Sequence, residues 1–422
     1  MPHKRPGFDT SVWADIQPEI LGIVLRFLPC LADRASVRSV CRHWRAGACS
    51  HDLLPPLPLL VLPKLRFSCL NSDGSLTPAR KAAMPTEVAD DNVRCVGSSD
   101  DWLVCVRPSK HFKHADGRCF LVNAFSQEVV HLPSVSRRKY SVYSSMTTLP
   151  IQNMCGVIHC TTNDWRYSMS LRNVVLSASP GSGSKYIVAA FCFCSSSSIP
   201  VLALWQPGMT AWYLCRGGCI DWDCHLVFYQ GKLFMIWSGG LSIFALELGE
   251  DKHGVNVSRV ERCLTKPLLP GSSKNAGALR FNLVVWRGKL LWILEYFNGY
   301  NVRRNLCKVR VFSLDCSTHP YGLTEIHNFD GDCIFVHTRC WKSFPARLHD
   351  GVEGDMIYFV KEYGINDLHD ASDPHYDTFV YNMRDGTTRP FADSLSPGNF
   401  GAPENKLSFP VWCFPSNRSS AN

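Results

Sequence analysis

Apolar residues follow two different periods along this chain. Between residues 15 and 47, in DIQPEILGIVLRFLPCLADRASVRSVCRHWRAG, they recur every three or four positions, which predicts short amphipathic helices. From about residue 64 onward, short apolar, β-branched and aromatic runs alternate with clusters of Gly, Pro, Asn, Asp and Ser, which predicts strands and turns. The pattern therefore predicts a small helical module followed by a large all-β region.

The first predicted helix begins near Pro18, whose missing N–H costs nothing in a first helical turn. Its residues at three- and four-residue spacing form one apolar face: Ile20, Leu21, Val24, Leu25 and Leu28. Helices this short bury too little apolar surface to form a self-sufficient core. We therefore expect another protein or domain to cover part of the module.

Two further helical segments follow Pro29. We expect Asp33 to cap the first of them. The apolar residues of this helix are predicted to face inward, namely Ala35, Val37 and Val40. The polar residues are predicted to face solvent, namely Arg34, Ser36 and Arg38. The last segment carries Cys41, Trp44 and Ala48.

One strand plan recurs in the β region. HLVFYQGKLFMIWSGGLSIFALEL at 225–248 and FNLVVWRGKLLWILEYF at 281–297 each place a Gly-Lys pair between two apolar strands, and GVEGDMIYFVKEYG at 351–364 repeats the plan more loosely. Gly231, Gly288 and Gly354 occupy equivalent positions, so the period is about 57 and then 66 residues. This predicts tight turns inside the blades of a β-propeller of about six or seven blades. A pair of irregular β-sandwiches is the alternative.

Composition narrows the partners and the compartment. The net charge of +8 comes from 44 basic and 36 acidic residues spread along the 422-residue chain, which is too diffuse for a nucleic-acid-binding surface. The amino-terminal residues have no apolar signal-peptide core, so we expect an intracellular protein of the cytoplasm or nucleus, with its 20 cysteines as free thiols. The most apolar run, LLPPLPLLVLP at 53–63, carries four prolines and predicts an extended connector instead of a membrane span.

Residues 13–48 resemble the F-box, the helical module that docks substrate receptors onto the Skp-type adaptor of a cullin-RING ubiquitin ligase. The resemblance rests on W-x-D-x-x-P-E-I-L-x-x-V-L-x-x-L-P and on A-D-R-A-x-x-R-x-V-C-R-x-W-R. It implies that the following residues bind the adaptor, several of them while also holding the helices together: Ile16, Pro18, Ile20, Leu21, Leu25, Val40, Cys41 and Trp44. The family usually has Leu-Pro before the helix; this chain keeps the apolar residue as Ile16 and has Gln17 in place of the proline.

The chain after the module resembles the C-terminal domains of a large plant group of F-box proteins with kelch-like repeats. The resemblance rests on PPLPLLVLP, on W-x-P-G-x-x-x-W at Trp205 to Trp212, on F-Y-x-G-K-L and on D-x-F-V-Y-N-M-x-D-G. It implies an α+β multidomain protein with an F-box at 10–50, a connector at 51–63 and a propeller-like substrate-recognition domain at 64–415. The implied function is that of a non-catalytic receptor subunit of a Skp/cullin/F-box ligase that binds an unknown target protein.

Two other functions stay open. A degenerate F-box would leave a kelch-like binding scaffold that recruits no ligase, and an enzyme would need acidic or metal-binding residues converging in a propeller channel. Candidate chemistry is weak: Cys215, Cys219, Cys224 and His225 lack the usual zinc spacing, and so does CGVIHC at 155–160. SASPGSGSK does not match a phosphate loop, and NDLHDASDPHYD at 366–377 has the composition of a solvated turn. We therefore expect no cofactor, metal, membrane or nucleic-acid partner.

Overall fold

The computed structural model describes the larger part of the chain. Described are residues 13, 15–28, 31–49, 57–70, 75–81, 84–89, 93–107, 118–133, 169–194, 197–215, 225–237, 242–265, 279–298, 305–337, 340–349, 351–362, 376–390 and 410–415. Cys219 and Cys224, the segment 155–160 and almost all of 366–377 lie outside these ranges.

Three short helices come first: α1 (Pro18–Arg26), α2 (Leu31–Ser39) and α3 (Arg42–Cys49). Pro18 begins α1, where its missing N–H costs no hydrogen bond. Leu21 and Leu25 of α1 are buried together with Ala48 of α3. This small apolar core joins the first helix to the third.

Three predictions for α2 and its end are wrong. Asp33 lies inside the first turn of α2 and not before it. Arg34, expected in solvent, is buried, and its Nε donates a 2.7 Å hydrogen bond to the Leu28 carbonyl just beyond α1. Val40, expected inward, is 59% exposed. The Arg34 guanidinium binds a carbonyl that has no hydrogen-bond partner within α1. This contact depends on the end of α1, so the burial of Arg34 could not be predicted from the residue pattern of α2.

The described strands form six sheets, called blades one to six in chain order. Blade one contains β1 (Leu59–Leu62), β2 (Arg66–Cys69), β3 (Arg80–Lys81) and β25 (Val411–Cys413). Blade two contains β4 (Arg94–Ser99), β5 (Trp102–Arg107), β6 (Arg118–Asn123) and β7 (Val129–His131). Blade three contains β8 (Met169–Leu176), β9 (Val188–Cys194), β10 (Ser197–Trp205) and β11 (Tyr213–Cys215).

The remaining blades follow in chain order. Blade four contains β12 (His225–Tyr229), β13 (Lys232–Trp237), β14 (Ser242–Asp251) and β15 (Gly254–Thr265). Blade five contains β16 (Leu279–Trp286), β17 (Lys289–Asn298), β18 (Asn305–Asp315) and β19 (Gly322–Ile326). Blade six contains β20 (Asp332–His337), β21 (Cys340–Pro345), β22 (Met356–Glu362), β23 (Tyr376–Asn382) and β24 (Thr388–Pro390).

The six sheets close into a ring. One edge strand of each sheet contacts the corresponding strand of the next, in the cyclic order β25, β4, β8, β12, β16, β21 and back to β25. Blades one to five are antiparallel and four-stranded, whereas blade six has five strands with β20 parallel to β22. Apolar clusters fill the spaces between neighbouring blades, as where Val227 and Phe234 of blade four meet Leu283 of blade five. The β region is therefore a six-bladed β-propeller.

Ring closure uses residues that the sequence places in a connector. Leu59–Leu62 form β1, whose four residues are all buried. This strand pairs antiparallel with β2 on one side and with β25, near the carboxyl end of the described chain, on the other. The connector boundary at residue 63 is therefore wrong, because the alternation of Leu and Pro at 53–63 hides a strand that is buried on both faces.

Two of the three predicted glycine turns are present. Gln230 and Gly231 join β12 to β13, and Arg287 and Gly288 join β16 to β17, all with positive φ. Such two-residue turns match the twist of the strands they join. The prediction of an equivalent turn at Gly354 is wrong. Its φ is not positive, and a Cβ there would lie 2.9 Å from the backbone of Gly331, so this glycine allows two backbones to approach closely.

Candidate docking surface on the helical module

The first helix presents apolar residues on two opposite faces. One side carries Leu21, Gly22 and Leu25, which are buried. Leu21 and Leu25 pack there with Ala48 of α3. The other side carries Ile20, Ile23, Val24 and, directly after the helix, Phe27, all of which are exposed. A helix that is apolar all round is normally covered on all sides. The sequence prediction of a single apolar face is therefore wrong, and the second face forms a stripe without cover in this chain's described residues.

Exposed large apolar side chains are concentrated in the module. Among the described residues they are Trp13, Ile20, Ile23, Val24, Phe27, Val40 and Phe125, and only Phe125 belongs to the propeller. Phe27 is 74% exposed and Ile23 is 52% exposed. Contiguous exposed apolar surface on a soluble domain commonly marks a protein-interaction site. We call the first six residues of this set the module surface.

The residues before α1 are attached to α3 by two side chains. Nε1 of Trp44 donates to the Trp13 carbonyl at 2.7 Å, and Nε2 of His43 lies 2.9 Å from the Ile16 carbonyl. These bonds fix the entry of the chain into α1. Trp44 therefore has a positioning role inside the module, since its indole N–H is used within the chain.

The first turn of α3 is capped by sulfur. Sγ of Cys41 accepts the backbone N–H of Trp44 at 3.3 Å, the geometry by which a residue just before a helix satisfies a free N–H of its first turn. Cys41 is half-buried. Its place in the pattern V-C-R-x-W-R is thus explained locally, by capping.

Burial divides the residues proposed from the sequence into groups. Ile20 and Val40 are exposed and belong to the module surface. Leu21 and Leu25 are about fully buried, so they hold α1 against α3 and offer no surface to a partner. The half-buried residues are Ile16, Pro18, Cys41 and Trp44.

Four residues of the module surface were missed by the sequence argument: Trp13, Ile23, Val24 as an exposed residue, and Phe27. Ile20, Ile23, Val24 and Phe27 stand three, four and seven positions apart, so their own helical period was available as a signal. This period overlaps that of Leu21 and Leu25, because both faces of the helix are apolar.

Polar side chains of the innermost propeller strands bind neighbouring inner strands. Ser98 of β4 donates to the Trp412 carbonyl of β25. Nδ1 of His225 in β12 accepts the Leu283 N–H of β16 at 3.3 Å, which places the proton of the neutral ring on Nε2. Burial lowers the pKa of His225 to about 4, against a weaker upward effect of hydrogen bonding to the His337 backbone. This histidine is therefore an uncharged structural group at neutral pH.

Within the described ranges, no group of three or more His, Cys, Asp or Glu side chains is arranged to hold a metal ion. Cys69 is disulfide-bonded, which corrects the expectation that every thiol is free. Free thiols among the described side chains include Cys41, Cys95, Cys105, Cys119, Cys263, Cys316, Cys333, Cys340 and Cys413. No helix among the described residues is both long and apolar enough to cross a membrane.

Comparison with known proteins identifies the β region. The profile of a family described as KIB1-4 beta-propeller matches residues 73–382. No curated protein sequence is significantly similar to the chain.

Solved structures with limited likeness include three enzymes. The GH93 α-L-arabinofuranosidase of Fusarium graminearum in complex with arabinobiose is 12% identical, with a TM-score of 0.31 over 73% of this chain and 85% of that one. Bacillus subtilis arabinanase Arb43A is 14% identical, with a TM-score of 0.30 over 69% and 94%. A putative 6-phosphogluconolactonase from Bacteroides uniformis is 12% identical, with a TM-score of 0.31 over 79% and 94%. Scores this low say nothing about the activity of this chain.

Proposed function

Because the chain belongs to the KIB1-4 beta-propeller family, we propose that it is the substrate-recognition subunit of a Skp/cullin/F-box E3 ubiquitin ligase, in the cytoplasm or nucleus. The helical module docks onto the Skp-type adaptor, and the propeller binds a target protein. The observation that carries this proposal is the exposed stripe of Ile20, Ile23, Val24 and Phe27 beside the buried face of the same helix. The resemblance of residues 13–48 to the F-box supplies the identity of the partner.

The energetics favour a protein partner for this stripe. Burying one exposed Ile or Phe side chain in an interface is favourable by roughly 1.5–3 kcal/mol, because its apolar surface is removed from water. Ile20, Ile23, Val24 and Phe27 lie three, four and seven positions apart along α1 and its end, and such exposed apolar side chains can supply most of the binding energy of a protein interface. Docking would complete the cover that three short helices cannot supply for themselves.

In this function the chain contributes no reacting group. The receptor raises the effective concentration of a target lysine near the ubiquitin thioester carried elsewhere in the ligase, so that its contribution to catalysis is proximity. The rigid propeller presents the target, and the module fixes the receptor on the adaptor.

The test is binding of the full chain to a purified Skp-type adaptor by calorimetry. Ile23→Asp puts a charge in the centre of the stripe without touching the buried face, and we expect it to weaken binding by at least about a hundredfold. Arg26→Gln, on the same helix but outside the stripe, is the matched control and should bind like the unchanged protein. Equal affinity of the Ile23→Asp protein and the unchanged protein would refute the role of the stripe.

A second function, a kelch-like protein-binding scaffold that recruits no ligase, is favoured by one observation. Gln17 stands at the N-cap of α1, and its side chain makes no capping hydrogen bond. A folded module that shows no adaptor binding in the same calorimetric experiment would support the scaffold.

A further inference from the structure

The corner between α2 and α3 combines an exposed hydroxyl, several cations and a residue of the module surface. Ser39 is the last residue of α2 and is exposed, and its Oγ donates to the Ser36 carbonyl at 2.7 Å. The next residue is Val40, which is 59% exposed. Any group added to Ser39 therefore stands beside the module surface.

Several arginines lie close to Ser39 in the sequence. Arg38 precedes it, and Arg42 and Arg45 follow in the first turn of α3, where both are exposed. Nε of Arg45 donates to the Arg38 carbonyl at 3.3 Å, so its guanidinium is already held across the corner. The amino-terminal end of α3 adds the positive end of a helix dipole to the same place.

We propose that Ser39 is a regulatory phosphorylation site and that its phosphate ester switches off docking by the module; this inference rests on the proposed adaptor-binding function. A serine kinase would transfer the γ-phosphoryl group of ATP to Oγ of Ser39, which loses its proton to the kinase base, while ADP leaves. The product adds a charge of about −1.5 to −2 at neutral pH and three acceptor oxygens.

Two effects of the phosphate work against docking. Its charge is unfavourable at the carboxyl end of α2, and the hydroxyl can no longer donate to the Ser36 carbonyl. Arg42 and Arg45 offer charge-assisted hydrogen bonds that hold it over the corner. A hydrated dianion then lies next to Val40, where docking would have to strip it of water.

The experiment compares full-length chains with phosphoserine placed at one position by genetic encoding. Phosphoserine at 39 should weaken binding to a purified Skp-type adaptor by at least about tenfold, whereas phosphoserine at Ser36, one turn earlier on the same helix and also exposed, should change it less than about twofold. Circular dichroism should show a folded chain in both proteins, so that a difference in affinity is not a difference in folding. Treatment with a phosphatase should restore the affinity.

The outcomes separate this inference from the proposed function. If the unmodified chain binds the adaptor and phosphoserine at 39 leaves the affinity unchanged, or if phosphoserine at 36 weakens it equally, the assignment of Ser39 is wrong while the docking function stands. If the unmodified, folded chain does not bind the adaptor, the proposed function fails and this inference fails with it.

Discussion

Cδ2 of Leu21 lies 3.0 Å from the position that a Cβ on Gly47 would occupy. The helices α1 and α3 are thus in contact at a point where one of them has no side chain. Pro18 also borders this position, at 3.6 Å from its Cα. The close approach explains why a residue with poor helix propensity stands inside an eight-residue helix.

Substitution of Gly47 tests this contact. Gly47→Val should force α1 away from α3, unfold the module and abolish adaptor binding, because the added methyl groups overlap Leu21 and Pro18. Hydrogen exchange should show loss of protection in residues 18–49 and unchanged protection in the blade strands. Ala46→Val, at the neighbouring exposed position, is the control and should keep the module folded. A fully protected module in Gly47→Val would contradict the packing described.

Gln17→Pro should stabilise the module and tighten docking. Gln17 has φ −62 and ψ 138, which are values that proline adopts and that a residue before Pro18 prefers. Proline there removes disorder from the unfolded chain and should add about 0.4–1 kcal/mol of stability, or about a two- to fivefold gain in affinity if the segment orders on docking. Calorimetry with the adaptor measures the gain. Gln17→Ala, which does not fix φ, should show none of it.

Stability should fall in mild acid because of His225. Its pKa of about 4 in the folded protein lies below the ordinary value of 6.5, so between these values the unfolded chain binds a proton that the folded chain does not. Its stabilising contribution is complete above pH 6.5 and is lost as the pH falls towards 4, by about 3 kcal/mol in total. His225→Gln, which can still accept the Leu283 N–H, should show a smaller loss between pH 7 and pH 4.5 in urea titrations. An identical pH dependence in His253→Gln, an exposed control, and in His225→Gln would contradict this role.

Asp355 should act in stronger acid. Burial alone would raise its pKa, but hydrogen bonds from the Phe329 N–H at 2.6 Å, from Arg384 and from the Gly331 N–H outweigh burial and hold the pKa below its ordinary value. The stabilisation is therefore present above about pH 4 and is lost as the pH falls through the folded-state pKa. Asp355→Asn should cost about 1–3 kcal/mol at pH 7, and this cost should become smaller as the pH is lowered below about 4, measured by denaturant titration. A cost that does not depend on pH would show that the charge is not what stabilises blade six.

The division of the chain into helices and strands, and much of the propeller, could be predicted from the pattern of residues. Apolar residues recur every three or four positions in the helices and in short runs in the blades. Each pattern matches one backbone geometry, so the boundary between helices and blades is visible in the sequence. The Gly-Lys phrases predicted the turns at Gly231 and Gly288, because positive φ in a two-residue hairpin favours glycine regardless of what surrounds it.

Which residues of these elements pair and which are buried depends on long-range packing. Leu59–Leu62 form a strand that pairs with residues 411–413, which lie more than 300 positions away in the sequence. A local pattern cannot predict a pairing partner so distant. Leu21 and Ile23 are equally apolar in the sequence, yet one is buried and the other exposed, because α3 covers one face of α1 and not the other. Packing between elements, which depends on residues far apart in the chain, thus separated the core of the module from its surface.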